Sequence, residues 1–72
     1  MAIKMTPWQK VYAKFGLNGA ELAKEIDRDR SKISRVLRSE TGLINGGDQA
    51  RLLAAAKRLG VELELSDLMP DV

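Results

Sequence analysis

The sequence contains no cysteine and no histidine. Without cysteine there are no disulfides and no thiolate metal ligands, and nothing ties the chain to an oxidising compartment. Without histidine the commonest general base and the commonest metal ligand are both missing. No apolar run approaches the roughly 18–20 residues that span a bilayer. The opening residues, MAIKMTPWQK, lack the apolar stretch of a signal peptide. There is no repeat, no low-complexity tract, no glycine-rich phosphate loop and no metal-spaced cluster. These absences predict a cytoplasmic protein of a bacterial host cell, with no metal, cofactor, membrane partner or small-molecule ligand.

The 72 residues make one domain, 1–72. A chain this short hides roughly 60% of its unfolded surface, which leaves a small core and little room for a deep enzyme pocket. The apolar fraction of 44% is that of a globular protein rather than a disordered tail. The net charge of +2 conceals an asymmetry. Residues 1–38 carry nine Lys and Arg against four acids, a net +5. Residues 39–72 carry three bases against six acids, a net −3. A basic first half suits a polyanion partner, with the acidic half facing away; an uneven surface without consequence is the alternative.

Helix signals follow one another closely. Thr6-Pro7 reads as an N-cap with proline at the first helical position, and Trp8, Val11, Tyr12 and Phe15 recur at helical spacing before Gly16, so a helix is expected over 7–15. At this spacing the aromatics read as core rather than as a platform for stacked bases. Asn18 with Glu21 resembles a capping box and opens a helix over 19–26. Asp27-Arg28-Asp29 forms a turn, and Asp29 is placed to cap a third helix over 30–38, with Ile33, Val36 and Leu37 inward. Residues 39–47 form a loop anchored by Leu43 and Ile44. A fourth helix is expected over 48–59, stopped by Gly60. Val61, Leu63 and Leu65 alternate with Glu62 and Glu64, which is strand-like. Ser66 then caps a last turn before Pro70.

The stretch GAELAKEIDRDRSKISRVLR, residues 19–38, carries the functional argument. Two helices joined by a short turn, the second basic outside and apolar inside, make a helix-turn-helix. Ala23 is small where the helices cross, and Ile33 fills the space between them. At Glu21-Leu22-Ala23 and Ile33-Ser34-Arg35 the chain resembles the lambda-repressor and Cro-like family of phage and bacterial regulators. The tail LLAAAKRLGVELELSDLMP resembles that family's fourth helix and its stop, so the resemblance spans roughly residues 6–70. It implies an all-α, compact four- to five-helix DNA-binding domain with a short extended segment near the C-terminus. Two features depart from the family. Asp27-Arg28 replaces a Gly-aliphatic pair in the turn, where Arg28 either forgoes a core contact or gains a phosphate. Gly19 stands where a DNA-contacting Gln is frequent.

The resemblance implies a homodimeric transcriptional repressor that binds a pseudo-palindromic operator in double-stranded DNA. The helix 30–38 would lie in the major groove, with Arg30, Ser31, Lys32, Ser34 and Arg35 at base edges. Lys14, Asn18, Arg28, Arg38, Thr41 and Asn45 would touch the DNA backbone. Thr41, Asn45 and the Gly46-Gly47 backbone suit a phosphate clamp, or the glycines provide turn geometry alone. A basic helix face is often merely solvated; its place on the second helix of the motif is what argues for a partner. Helix 48–59 and the segment 61–69 are the expected dimer interface, through Val61, Leu63, Leu65 and Leu68.

Catalysis finds little support, and no enzyme is expected. Asp27 and Asp29, and Glu62 and Glu64, read as caps and solubilising charge rather than as acid–base pairs. The competing reading is a protein-interaction module of the same fold, an antitoxin or anti-repressor, docking through the acidic, leucine-alternating C-terminus. The long toxin-wrapping tail expected of an antitoxin does not follow Pro70. A fragment of a larger regulator is the third reading and would call for a ligand domain elsewhere.

Overall fold

A computed structural model describes residues 5–70. The chain folds as α1 (Pro7–Phe15), α2 (Gly19–Glu25), α3 (Arg30–Arg38) and α4 (Gly46–Leu59), followed by a 3-10 turn (Leu65–Leu68). The architecture is all-α, and no strand occurs among the described residues.

Local chemistry sets the helix boundaries. The Thr6 hydroxyl accepts from the Gln9 N–H, and the Gln9 side chain returns the bond to the Thr6 N–H. Asn18 and Glu21 make the same reciprocal box at the start of α2. Gly16 and Gly60 end α1 and α4 in left-handed conformation, at φ of 65° and 72°. Asn45, rather than a residue nearer Asp48, caps α4, so this helix starts two residues before the expected 48. Asp29 occupies the N-cap of α3 but makes no side-chain capping bond.

Trp8 and Val11 of α1, Leu22 and Ala23 of α2, Ile33 of α3 and Leu52 of α4 meet in one core, each at most 3% exposed. Ile26, Phe15, Ile44, Ala55, Ala56 and Leu68 complete it. Burial of this apolar surface is the main stabilising term. The loop after α3 is tied down by Ile44 alone of its two expected anchors, because Leu43 remains 59% exposed. Within it, Gly42 has φ of +51°, and a Cβ there would overlap the Thr6 side chain. Glycine is therefore required twice over, by backbone and by space.

The C-terminal alternation is not a strand. The Val61 N–H closes α4 on the Ala56 carbonyl at 2.8 Å. Val61 and Leu63 then pack on the core, Leu65 is 71% exposed, and Leu68 is buried at 2%. Lys10 Nζ holds the segment down by donating to the Ser66 and Met69 carbonyls at 3.0 and 2.8 Å. An extended stretch laid across a core alternates as a strand does, but needs no neighbour. No helix among the described residues is long and apolar enough to cross a membrane.

Candidate nucleic-acid interface

The turn between α2 and α3 brings the basic helix to the surface. Ile26 caps α2, Asp27 takes a left-handed φ of 56°, and the Arg28 N–H returns to the Ala23 carbonyl at 2.8 Å. Asp is among the few non-glycine residues that adopt this conformation at modest cost. Two arginines of α4 secure the same end of α2. Arg51 Nη1 donates to the Ile26 carbonyl at 3.2 Å, and Arg58 Nη2 donates to the Glu25 carbonyl at 3.2 Å and also to its carboxylate. Cations at a helix C-terminus are favourable, and here they fix α2 against α4.

On α3, Arg30, Ser31, Ser34, Arg35 and Arg38 are all exposed. At 100° per residue they fall within one arc of about 140°. The helix RSKISRVLR contains no acid. Arg30 and Arg35 have no ion-pair partner among the described residues, while Arg38 Nε donates to the Ser34 carbonyl one turn back at 3.3 Å. Beside this face lies a groove of about 440 Å³, walled by Tyr12, Asn18, Gly19, Leu37, Arg30 and Ser34. It opens where α2 begins, because Gly19 has no side chain to fill it.

Lys32 stands apart from the other base-edge candidates. Its ammonium lies 2.6 Å from Asp48 Oδ2, and Arg28 Nε lies 2.9 Å from Asp48 Oδ1. Asp48 is 1% exposed and also accepts from Asn45 Nδ2 at 3.2 Å. Its own N–H donates to Asn45 Oδ1 at 2.8 Å. Burial pushes the Asp48 carboxyl up, but the hydrogen bonds and charges of Lys32 and Arg28 outweigh it, and the net result is a pKa below the ordinary 3.8. Arg28 thus resolves the alternatives of the turn differently: it meets a buried carboxylate.

The remaining candidates are dispersed. Lys14 is exposed and pairs with Asp67 at 3.8 Å. Asn18 is exposed while capping α2. The Thr41 and Ser39 hydroxyls lie 3.4 Å apart, and Asn45 is engaged by Asp48. Of the interface candidates Leu65 is freely exposed, Val61 and Leu63 are half-buried, and Leu68 belongs to the core, which removes it from any interface of the folded protomer. Several cations of the basic half therefore serve the fold: Lys10 and Lys14 hold the C-terminal segment, and Arg28 and Lys32 hold α4.

Asp48 is the residue that sequence reasoning passed over. The signal was present. Asp48 shares the buried register of Leu52, Ala55 and Ala56 on α4, and an acid on an apolar stripe asks for a cationic partner.

Comparison with protein-family models, with curated proteins and with solved structures finds no match to this chain.

Proposed function

We propose that this protein is a sequence-specific double-stranded DNA-binding repressor of the lambda-repressor and Cro-like type, acting in the cytoplasm of a bacterial host cell. The observation that carries the reading is the outer face of α3, a helix with no acid of its own, where Arg30, Arg35 and Arg38 are exposed together with Ser31 and Ser34. Arg reads guanine O6 and N7 bidentately in the major groove, and serine hydroxyls accept or donate at base edges. The α2–turn–α3 unit presents that face as a ridge, with the small Ala23 and the buried Ile33 allowing close approach of the two helices. A homodimer would place two such ridges about 34 Å apart, one duplex turn, on a pseudo-palindromic operator. Exposed Leu65 is the apolar side chain offered to that dimer. Occupancy of the operator would block transcription.

The test is enrichment of bound duplexes from a random pool, followed by affinity measured against salt. The reading expects one enriched motif with two-fold symmetry and a log–log salt slope steeper than about −3 for the dimer. No enriched sequence together with a flat slope would refute it.

A second reading, a protein-binding module such as an antitoxin or anti-repressor, is favoured by one patch. Met5, Leu43 and Met69 are 42%, 59% and 54% exposed, and Met5 and Leu43 line a common depression with Pro70. Flat salt dependence would promote it.

A further inference from the structure

We propose that Asp48 is a positioning residue that sets the strength of backbone binding: it holds the Lys32 ammonium and the Arg28 guanidinium off the DNA and so lowers the sequence-independent contribution to affinity on every duplex. The inference rests on the DNA-binding reading.

The geometry is specific. Lys32 lies on the helix that presents the reading face, but its ammonium turns to Asp48 Oδ2 at 2.6 Å. Arg28, in the turn that leads into α3, reaches the other oxygen at 2.9 Å. The carboxylate is buried in the first turn of α4 and further fixed by Asn45. The two cations remain 25% and 34% exposed, at the edge of the depression they share with Asp27, Asp29 and Arg35. They thus border the same surface as Arg35 while the Lys32 ammonium and Arg28 Nε are engaged by the buried carboxylate.

Electrostatics gives this arrangement a consequence. Every cation that neutralises a phosphate releases counterions and tightens binding to all sequences alike. Direct base contacts tighten binding to one sequence. A carboxylate that withdraws two flexible cations lowers the first contribution and leaves the second to Arg30 and Arg35. A buried carboxylate does this better than a surface one. An exposed acid is screened and swings away, whereas Asp48 has nowhere to go, and its cations leave it only by stranding a buried charge.

The experiment compares wild type, Asp48→Asn, Lys32→Met, the double variant and Asp29→Asn on a preferred and a scrambled duplex at several salt concentrations. Asp29 is exposed and makes no side-chain capping bond, so its substitution removes the same charge without freeing a cation. Asp48→Asn is expected to steepen the salt slope on both duplexes by about two units per protomer, one for each released cation, roughly 12-fold in affinity between about 50 and about 200 mM salt. It should tighten binding to both duplexes alike, leaving the preferred-to-scrambled ratio as in wild type, and Lys32→Met added to it should reverse about half of the change. Lys32→Met alone should leave the slope and the ratio as in wild type, and Asp29→Asn should change the slope by less than half as much as Asp48→Asn. A role confined to stability would weaken binding to both duplexes in Asp48→Asn rather than tighten both. If Asp48→Asn does not fold, Lys32→Met decides alone: a flattening by about one unit would mean that Lys32 contacts phosphate, overturning the inference while DNA binding stands. A chain that binds neither duplex at low salt overturns the DNA reading and the inference with it.

Discussion

The indole of Trp8 and the main chain at Leu43 are joined across the domain: Trp8 Nε1 donates to the Leu43 carbonyl at 3.1 Å. The Trp8 N–H reaches the neighbouring Gly42 carbonyl at the same distance. One residue of α1 thus fixes the loop that leaves α3. Trp8→Phe keeps an aromatic ring in a site that is 1% exposed but loses volume and the indole bond. We expect a loss of about 1–3 kcal/mol, read as a fall in melting temperature by circular dichroism. An unchanged melt would mean that the loop is not held through this indole.

Ala23 sets the approach of α2 to α3. It is 3% exposed, and its carbonyl receives the Arg28 N–H. Ala23→Leu should cost about 1–3 kcal/mol through overpacking, a large share of what a domain this small possesses. Loss of DNA binding should accompany the loss of stability, since the same crossing aims α3.

Asp48 gives stability a definite pH dependence. Its folded pKa is depressed by Lys32 and Arg28, so its stabilising contribution is present above the ordinary value of 3.8 and is lost as the pH falls through the lower folded value. The stability difference between wild type and Asp48→Asn should be constant above about pH 5 and should shrink below that. A difference that widened in acid would contradict the sign of the shift.

Leucines of the C-terminal segment should separate by role. Leu68→Glu places a charge in the core and should unfold the domain. Leu65→Glu, at a position 71% exposed, should leave the fold intact and weaken self-association. Sedimentation of Leu65→Glu at wild-type mass, if wild type is a dimer, would exclude this segment from the interface.

Much of the fold was legible because its signals are local. Thr6-Pro7, Asn18 with Glu21, Gly16 and Gly60 act within one turn of the chain, and each stands where the sequence puts it. The exposed face of α3 was equally legible, since Ile33 fixes which side faces inward. Long-range partnerships were not. Whether Lys32 faces solvent or Asp48 depends on where α4 begins, fourteen residues on along the chain from Lys32, and Asn45 rather than Asp48 decides that. The alternation over 61–65 misled for a related reason. Period-two burial reports that an extended segment has one face covered, and here α1 and the core cover it rather than a second strand.

The most direct test of the central claim is the affinity of wild type and Arg35→Ala for the enriched duplex and for a scrambled duplex at matched salt. Arg35 is exposed on the outer face of α3 and has no ion-pair partner among the described residues, so its removal should leave the fold intact. The account predicts that wild type prefers the enriched duplex and that Arg35→Ala loses about 1–3 kcal/mol on it, with a much smaller loss on scrambled DNA. Equal loss on both would make Arg35 a backbone contact and rotate the reading face. No preference in wild type would contradict sequence-specific recognition by α3.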